Sequence, residues 1–431
     1  MQRLLSGEKI LNVVRTLIIV EMMAMLVSTA VAVGVECLLY LLFILSIELR
    51  HRFLASLKQP IVLMSMLFFA VVTTGLFYGL ADWEEGVDFW LSWRKLLLVP
   101  IAVSVFEDQR WKRRLALAFV GFASLVALLS AASYLLNKAV YYRFPVGIVL
   151  NNHATQGMVF AMALFAGVIL LRSYPPSAKR LGLAVAALSI TLGNLIFITP
   201  GRSGYLALLV FVMVAVFVLV SGRLRYVLLV GMPLFLVVLL MASPVAKEKI
   251  VRGLNEMAHL DEAEHFSSMG IRMVMWKNTM GIVKHSDFPV LIGYGTGGFK
   301  EAYRPQVAGQ TGWKAEVVDD CHNQYLRIAV EHGVVGLLVF FAFIVACFTQ
   351  VVPHTYKLLG IGTLLAWCAT SFFSGHFATG LEGRLIYIWL GSMLAMPVVA
   401  PPTIHMVDPS RMQPKSQISG DATFSLKRQM I

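Results

Sequence analysis

Asp319-Asp320-Cys321-His322-Asn323-Gln324-Tyr325 is where a long polar stretch of this chain runs straight into an apolar one. The polar stretch begins at Ser243 and carries both charge signs, while almost everything on either side of it is apolar. That contrast decides the fold. Of 431 residues, 58% are hydrophobic and 14% charged, with a mean hydropathy of +0.75; a soluble domain carries about 25% charge. Many windows reach the roughly 20 apolar residues that cross a hydrocarbon core. Backbone groups in lipid must be satisfied within the protein, which leaves helices or a closed barrel. The apolar runs are continuous rather than alternating, so helices are expected. The expected fold class is an all-α polytopic membrane protein of about twelve transmembrane helices with one long, partly helical periplasmic loop.

Working outward, window length places spans at 10–30, 31–49, 61–81, 87–106, 115–136, 153–171, 181–199, 203–221 and 226–242 before the polar stretch. Three more follow it, at 325–348, 358–377 and 385–399. The chain therefore divides into 1–242 (nine spans), 243–324 (the loop), 325–400 (three spans) and 401–431, a polar tail expected to be cytoplasmic and disordered. Lys and Arg gather in alternate connections: Arg50, Arg52 and Lys58; Arg110, Lys112, Arg113 and Arg114; Arg172, Lys179 and Arg180; Arg223 and Arg225. By the positive-inside bias these face the cytoplasm. An even number of spans then puts both termini there and the loop outside, which in a bacterial inner membrane means the periplasm. The net charge of +12 is the same bias, and no nucleic-acid partner is inferred from it. Of 4 cysteines, Cys37, Cys347 and Cys368 lie in apolar runs and Cys321 is alone in the loop, so neither a disulfide framework nor a CxxC zinc site is supported. The first apolar run is long enough to remain as an anchor, and no cleavable leader is expected.

A loop of roughly eighty residues far exceeds the usual connection of about 4–6, so it is either functional or disordered. Its pattern argues for order: Ile271, Val274, Met275, Thr279, Ile282 and Val283 recur at helical spacing around Trp276. Gly293-Tyr294-Gly295-Thr296-Gly297-Gly298-Phe299 is a glycine-rich turn whose amides could cradle a phosphate; a tight turn folding the loop back on itself is the plainer account. Asp319 or Asp320 is expected to cap a helix, with His322 in its first turn and Gly333, eleven positions on, sharing its face. The positive helix terminus favours a neutral imidazole able to accept a proton, and the nearby aspartates oppose this. The alternative is a polar interfacial histidine with no catalytic duty.

Arginines on the outer side run against the positive-inside bias. Arg202 stands in Pro200-Gly201-Arg202-Ser203-Gly204, Arg272 precedes Trp276, Arg143 shares a connection with Lys138, and Arg384 begins the last span. A diphosphate on a lipid carrier would give them a purpose, because guanidinium forks bind phosphate bidentately and keep their charge. Headgroup anchoring or ion pairing is the alternative, and for Arg143 and Arg384 the better one. Asn152 and His153 at the outer start of one span, and Arg94 and Lys95 within another, are candidates for lining a polar cavity. Asp319, Asp320 and His322 as metal ligands lack a second cluster to complete a shell.

His322-Asn323, then nine residues, Gly333, two residues and Gly336 resembles the signature of bacterial O-antigen ligases and related O-oligosaccharyltransferases. Arg202 in its glycine-flanked corner, Arg272 with Trp276, and Phe288-Pro289 leading into the glycine-rich turn are similar too, in the same order. The resemblance implies a glycosyltransferase of the GT-C type. Such an enzyme takes a glycan from undecaprenyl diphosphate and, in the ligases, transfers it to the lipid A–core oligosaccharide at the periplasmic face of the inner membrane. It implies inversion at the anomeric carbon, no nucleotide and no metal. It also implies His322 as base, Arg202 and Arg272 as diphosphate clamps, Asn323 orienting either His322 or the acceptor, and Tyr325 beside the substrate. The nearest rival is an O-antigen polymerase. Its Arg-x15-Gly pattern is missing, since sixteen positions after Arg143, Arg202, Arg272 and Arg304 stand Val159, Val218, Phe288 and Asp320. A protein O-oligosaccharyltransferase usually has further sequence beyond these spans. A transporter for the same lipid-linked glycan would place polar elements near the bilayer midplane, whereas here they gather at outer helix ends and in the loop.

Overall fold

The computed structural model describes residues 7–140, 144–199, 201–258 and 268–397, and among these there is no strand. The helices before the polar stretch are α1 (Gly7–Val27), α2 (Thr29–Leu45), α3 (Ile47–Ser56), α4 (Pro60–Gly75), α5 (Trp83–Trp93), α6 (Leu98–Val105), α7 (Gln109–Leu135), α8 (His153–Ser173), α9 (Ala178–Phe197), α10 (Arg202–Leu219) and α11 (Gly222–Ala242). Within the polar stretch lie α12 (Pro244–Ala258), α13 (Ser268–Lys284) and α14 (Phe299–Val307); after it come α15 (Gln324–Thr349), α16 (His354–Thr370) and α17 (Gly380–Met393). The protein is a polytopic helical membrane protein.

Each of the twelve expected stretches overlaps a helix, but among the described residues only seven helices are long and apolar enough to cross a membrane, or eight if α2 and α3 count as one bent span. The shortfall has local causes. Ser46 ends α2 by donating its N–H to the Leu42 carbonyl and starts α3 by accepting from Leu49 N–H, and the chain bends there by 97°. Beyond the bend come Glu48, Arg50, His51 and Arg52, which no apolar span can carry. The fourth stretch breaks into α5 and α6 around a 3₁₀ turn, Arg94–Leu97, where two cations need partners. Helices α4, α16 and α17 have 16, 17 and 14 residues, short of a full crossing.

Burial sorts the helices into inner and outer ones. The most apolar window of α8 is 78% buried and that of α11 only 11%, so α8 is central while α11 turns Val227, Val230, Leu234 and Val238 outward, towards lipid. Helix α17 is buried from Leu381 through Met393. Helices α8 and α10 cross where Gly157 meets Gly204: a Cβ on Gly204 would lie 2.6 Å from the Gly157 Cα. The polar stretch has its own small core of Ile282, Phe288, Phe299, Tyr303, Val307 and Cys321, sealed onto α15 by Val330.

Candidate active site

The N-termini of α8, α10, α15 and α17 meet. A Cβ on Gly201 would sit 2.6 Å from the His153 carbonyl oxygen, so the Gly-Arg-Ser-Gly corner exists to bring the start of α10 onto the start of α8. Thr155, in the first turn of α8, donates its hydroxyl to Glu382, in the first turn of α17. Gln324, the first residue of α15, accepts through Oε1 from Phe377 N–H and Ala378 N–H at 3.2 Å each, just ahead of α17. Helix N-termini carry partial positive charge and unsatisfied N–H groups, so four together favour an anion.

His322 sits at this junction, in a different setting from the one expected. It precedes α15 rather than lying in its first turn, with φ +54 in the left-handed region. The N-cap is Asn323, whose Oδ1 accepts from Tyr325 N–H and Leu326 N–H at 3.1 Å. Asp320 caps nothing. Its Oδ1 accepts from His322 N–H at 3.0 Å, and its Oδ2 lies 3.9 Å from Nδ1 of the ring. This Asx-type turn holds a conformation that costs a non-glycine residue of order 1–3 kcal/mol. The turn is pinned from two further sides. The Trp276 indole N–H donates to the Cys321 carbonyl at 2.9 Å, and Gln324 N–H donates to the Ser371 carbonyl at 2.9 Å. The His322 ring is 46% exposed, so substrate can reach it. Burial pushes the neighbouring Cys321 thiol up to about 12, which leaves it inert.

Gly333 does not share a helical face with His322, because α15 is kinked there, with φ +60 and ψ −156. The kink frees backbone groups, and the loop before the glycine-rich turn takes them. Val334 and Val335 N–H donate to the Val290 and Leu291 carbonyls; Tyr294 and Gly295 N–H donate to the Val330 and Glu331 carbonyls. Thr296 N–H donates to the Gly75 carbonyl of α4, and a Cβ on Gly295 would lie 2.3 Å from the Gly79 Cα. The turn is a clasp between α4 and α15 with its amides already used, so it offers no phosphate cradle.

Arg272 lies one helical turn before Trp276 on α13, on the face that docks against the His322 turn. Burial first, then the positive charge of Arg202, lowers its pKa, while Asp320 opposes the shift. The charges of Arg202 and Asp320 thus both reach Arg272, and Asp320 is also the carboxylate of the His322 turn. The Arg272 Nε is buried and has no hydrogen-bond partner among the described residues. Sequence inspection missed His376, in the turn between α16 and α17. It is 3% exposed, both ring nitrogens lack partners, and Glu382, Arg272, Asp320 and His322 all bear on it electrostatically. Burial is the largest influence and lowers its pKa, disfavouring the charged form. It follows an apolar run with no motif around it, so only the folded neighbourhood reveals it.

The remaining candidates go to other work. Asn152 caps α8, its Oδ1 accepting from Thr155 N–H at 2.8 Å. His153 is exposed at the α8–α10 corner, beside Arg202. The Tyr325 hydroxyl donates to the Cys368 carbonyl at 2.7 Å and its ring packs between Phe341 and Phe372. Arg384 pairs with Glu36 at 2.8 Å; Arg94 shares that carboxylate at 3.2 Å, and the Lys95 ammonium donates to the Thr379 carbonyl at 2.6 Å. Lys138 is exposed, its carbonyl accepting from the Ser133 hydroxyl at 2.6 Å. Arg143 lies outside the described residues. Among the described residues no group of three or more His, Cys, Asp or Glu is arranged to hold a metal ion.

A helical membrane protein with a histidine, two arginines and four helix N-termini at one junction has the makings of a transferase acting on an anionic lipid-linked substrate. Residues 186–341 match the family model described as O-antigen ligase, a stretch that includes Arg202, Arg272, His322, Gly333 and Gly336. Over that stretch the chain is similar to the O-antigen ligase family, the same family that the His322 signature resembles. The family's ligases and polymerases are glycosyltransferase-like enzymes acting on a lipid-linked glycan and an acceptor. A search of the curated proteins found no match.

Proposed function

We propose that this protein is an O-antigen ligase, transferring a glycan from undecaprenyl diphosphate to the lipid A–core oligosaccharide at the periplasmic face of a bacterial inner membrane. The observation that carries this is the convergence of Arg202, Arg272 and four helix N-termini beside an accessible His322. The acceptor hydroxyl attacks the anomeric carbon from the face opposite the diphosphate. A new glycosidic C–O bond forms, the C–O bond to phosphate breaks, and the anomeric centre inverts. His322 takes the hydroxyl proton, a general-base role worth about 10²–10⁴-fold. The electron pair leaves with the diphosphate, whose charge Arg202 and Arg272 hold. The donor brings its own leaving group, so neither ATP nor a metal ion is required. Holding two large lipid-borne substrates in register supplies the proximity term.

In this topology twelve membrane passes, some of them broken or short, put both termini in the cytoplasm and 243–324 outside. The odd-to-even alternation then runs α8, α10, α15 and α17 inward from their N-termini, with the site on the periplasmic side. Arg50, Arg52, Arg113, Arg114 and Arg180 fall at the cytoplasmic ends.

The test is reconstitution of the purified protein with undecaprenyl-diphosphate glycan and three separate acceptors: lipid A–core, a second lipid-linked glycan, and a pilin-type protein. Transfer to lipid A–core, unaffected by EDTA, is expected. Extension of a second lipid-linked glycan alone would make the protein a polymerase, and transfer to protein alone an O-oligosaccharyltransferase. His322→Ala should reduce transfer about 10²–10⁴-fold with unchanged expression and thermal stability; retained turnover would remove the base.

A further inference from the structure

We propose that His376 and Gln324 complete the seat for the donor's diphosphate, as neutral hydrogen-bond donors beside Arg272. This rests on the assignment of a diphosphate-linked donor and adds the residues that recognise it.

The turn carrying His376 is fixed on every side. Gln324 Oε1 accepts from Phe377 and Ala378 N–H, and Lys95 donates to the Ala378 and Thr379 carbonyls. Glu382 accepts from the Thr155 and Thr379 hydroxyls, the latter at 2.8 Å. Within this bonded turn the His376 imidazole stands apart, because its Nδ1 and Nε2 have no partner among the described residues. Gln324 presents the same contrast within one side chain. Two backbone donors identify its Oε1, and its Nε2 is buried without a partner, in a residue 0% exposed. An unpartnered buried polar group is costly, about 1–3 kcal/mol, and native proteins leave few of them. The Arg272 Nε is a third.

These groups are neighbours. Gly375, next to His376, lies between Gln324 and Asp320: a Cβ there would sit 3.7 Å from Gln324 Oε1 and 3.4 Å from Asp320 Oδ2. Asp320 in turn acts on both Arg272 and His376. What converges is a guanidinium N–H, a carboxamide NH₂ and a neutral imidazole, which also donates one N–H. A ligand that satisfies all three must offer several acceptor oxygens, as a diphosphate does. The choice of neutral donors has a physical reason. Arg202 and Arg272 already repel one another, so a third cation would raise that cost, whereas a carboxamide and an imidazole add hydrogen bonds without adding charge. The two local carboxylates are otherwise engaged, Asp320 by His322 N–H and Glu382 by the two threonine hydroxyls.

The experiment uses the full-length protein in nanodiscs, with undecaprenyl diphosphate as probe and undecaprenyl monophosphate and undecaprenol as controls. Wild type is expected to prefer the diphosphate. Gln324→Glu keeps Oε1 for the turn and replaces the donor with a carboxylate oxygen; His376→Phe keeps the volume and removes both nitrogens. Each should weaken diphosphate-lipid binding about 10- to 100-fold, the scale of a hydrogen bond to a charged group, and raise the donor KM while leaving the acceptor KM unchanged. A purely structural Gln324 would instead show as lost thermal stability with donor and acceptor KM changed alike. If both variants bind the diphosphate lipid like wild type while Arg272→Ala does not, this inference is wrong and the ligase assignment stands. If wild type neither binds it nor transfers glycan, the ligase assignment fails and takes this inference with it. Should His376→Phe not fold, Gln324→Glu alone decides.

Discussion

Arg272, half-buried with a buried Nε, and Arg384, buried, are cations near the same junction, and they differ in what faces them. Arg384 has Glu36 at 2.8 Å, the Gly380 carbonyl at 2.8 Å, and Glu21 at 3.9 Å. Glu36 also takes Arg94 and the Tyr40 hydroxyl, so α1, α2, the Arg94–Leu97 turn and α17 are tied by one ion-paired network. Arg272 has a second arginine as neighbour, an aspartate already holding a backbone N–H, and an Nε with nothing to bond. A buried cation paired within the protein braces it; a cation set beside another cation suits the anion that the proposed function assigns to it. Residue type is the same in both regions, and the partners differ.

The largest expected effect falls on the paired arginine. Arg384→Met leaves Glu36 short of a buried partner, which costs about 3–5 kcal/mol of stability, measured as a loss of thermal stability in detergent. The double variant Arg384→Met with Glu36→Leu should lose less than the sum of the single changes, because the two residues are coupled. Lost transfer at unchanged stability would move Arg384 into the site and erase the contrast. Next comes Arg272→Ala, expected to lower transfer about 10²–10³-fold, the worth of one charge-stabilising donor, at nearly unchanged stability. Arg272→Lys should recover little, since a point charge does not replace a bidentate fork. If Arg272→Ala unfolds the protein instead, the two arginines do the same work.

The clasp between α4 and α15 extends the comparison to glycines. Gly295 has φ +78 and backbone on three sides, with Gly79 Cα 2.3 Å from where a Cβ would go; Gly309 has φ +80 and open space. Gly309→Ala should cost only the left-handed penalty, about 1–2 kcal/mol. Gly295→Ala adds an overpacking term of about 1–3 kcal/mol, read as a further drop in thermal stability. Equal losses at the two positions would mean that the clasp is loose.

Much of this was legible in the chain, and the failures share a cause. Continuous apolar runs announced helices because lipid leaves the backbone no other solution. Arg202, Arg272 and His322 stood out as polar groups where apolar or acidic ones were expected. What could not be read was the backbone at two places. Regular 3.6-residue geometry put Gly333 on a face with His322, but the left-handed His322 and the kink at Gly333 both break that count. Span lengths failed similarly at Ser46 and at Arg94–Leu97, where capping and ion pairing end helices that hydropathy would continue. His376 and Gln324 gave no signal because their importance lies in partners they lack, a property only of the folded state.

Asn323 gives the smallest and sharpest contrast, because the family signature and the fold ask different things of it. The resemblance sets Asn323 to orient either His322 or the acceptor. The fold uses the Asn323 Oδ1 as the α15 cap, accepting two N–H groups at 3.1 Å, in a residue 7% exposed. If capping is its task, Asn323→Ser and Asn323→Asp should keep stability and transfer close to wild type, since Asn, Asp and Ser cap about equally. Asn323→Ala should cost about 1 kcal/mol, with transfer falling only as far as the loosened His322 turn allows. A contact with substrate predicts another order: Asp beside a diphosphate would then be worse than Ala. The ranking of Asp against Ala in donor KM therefore separates a residue that holds the histidine turn from one that holds the donor.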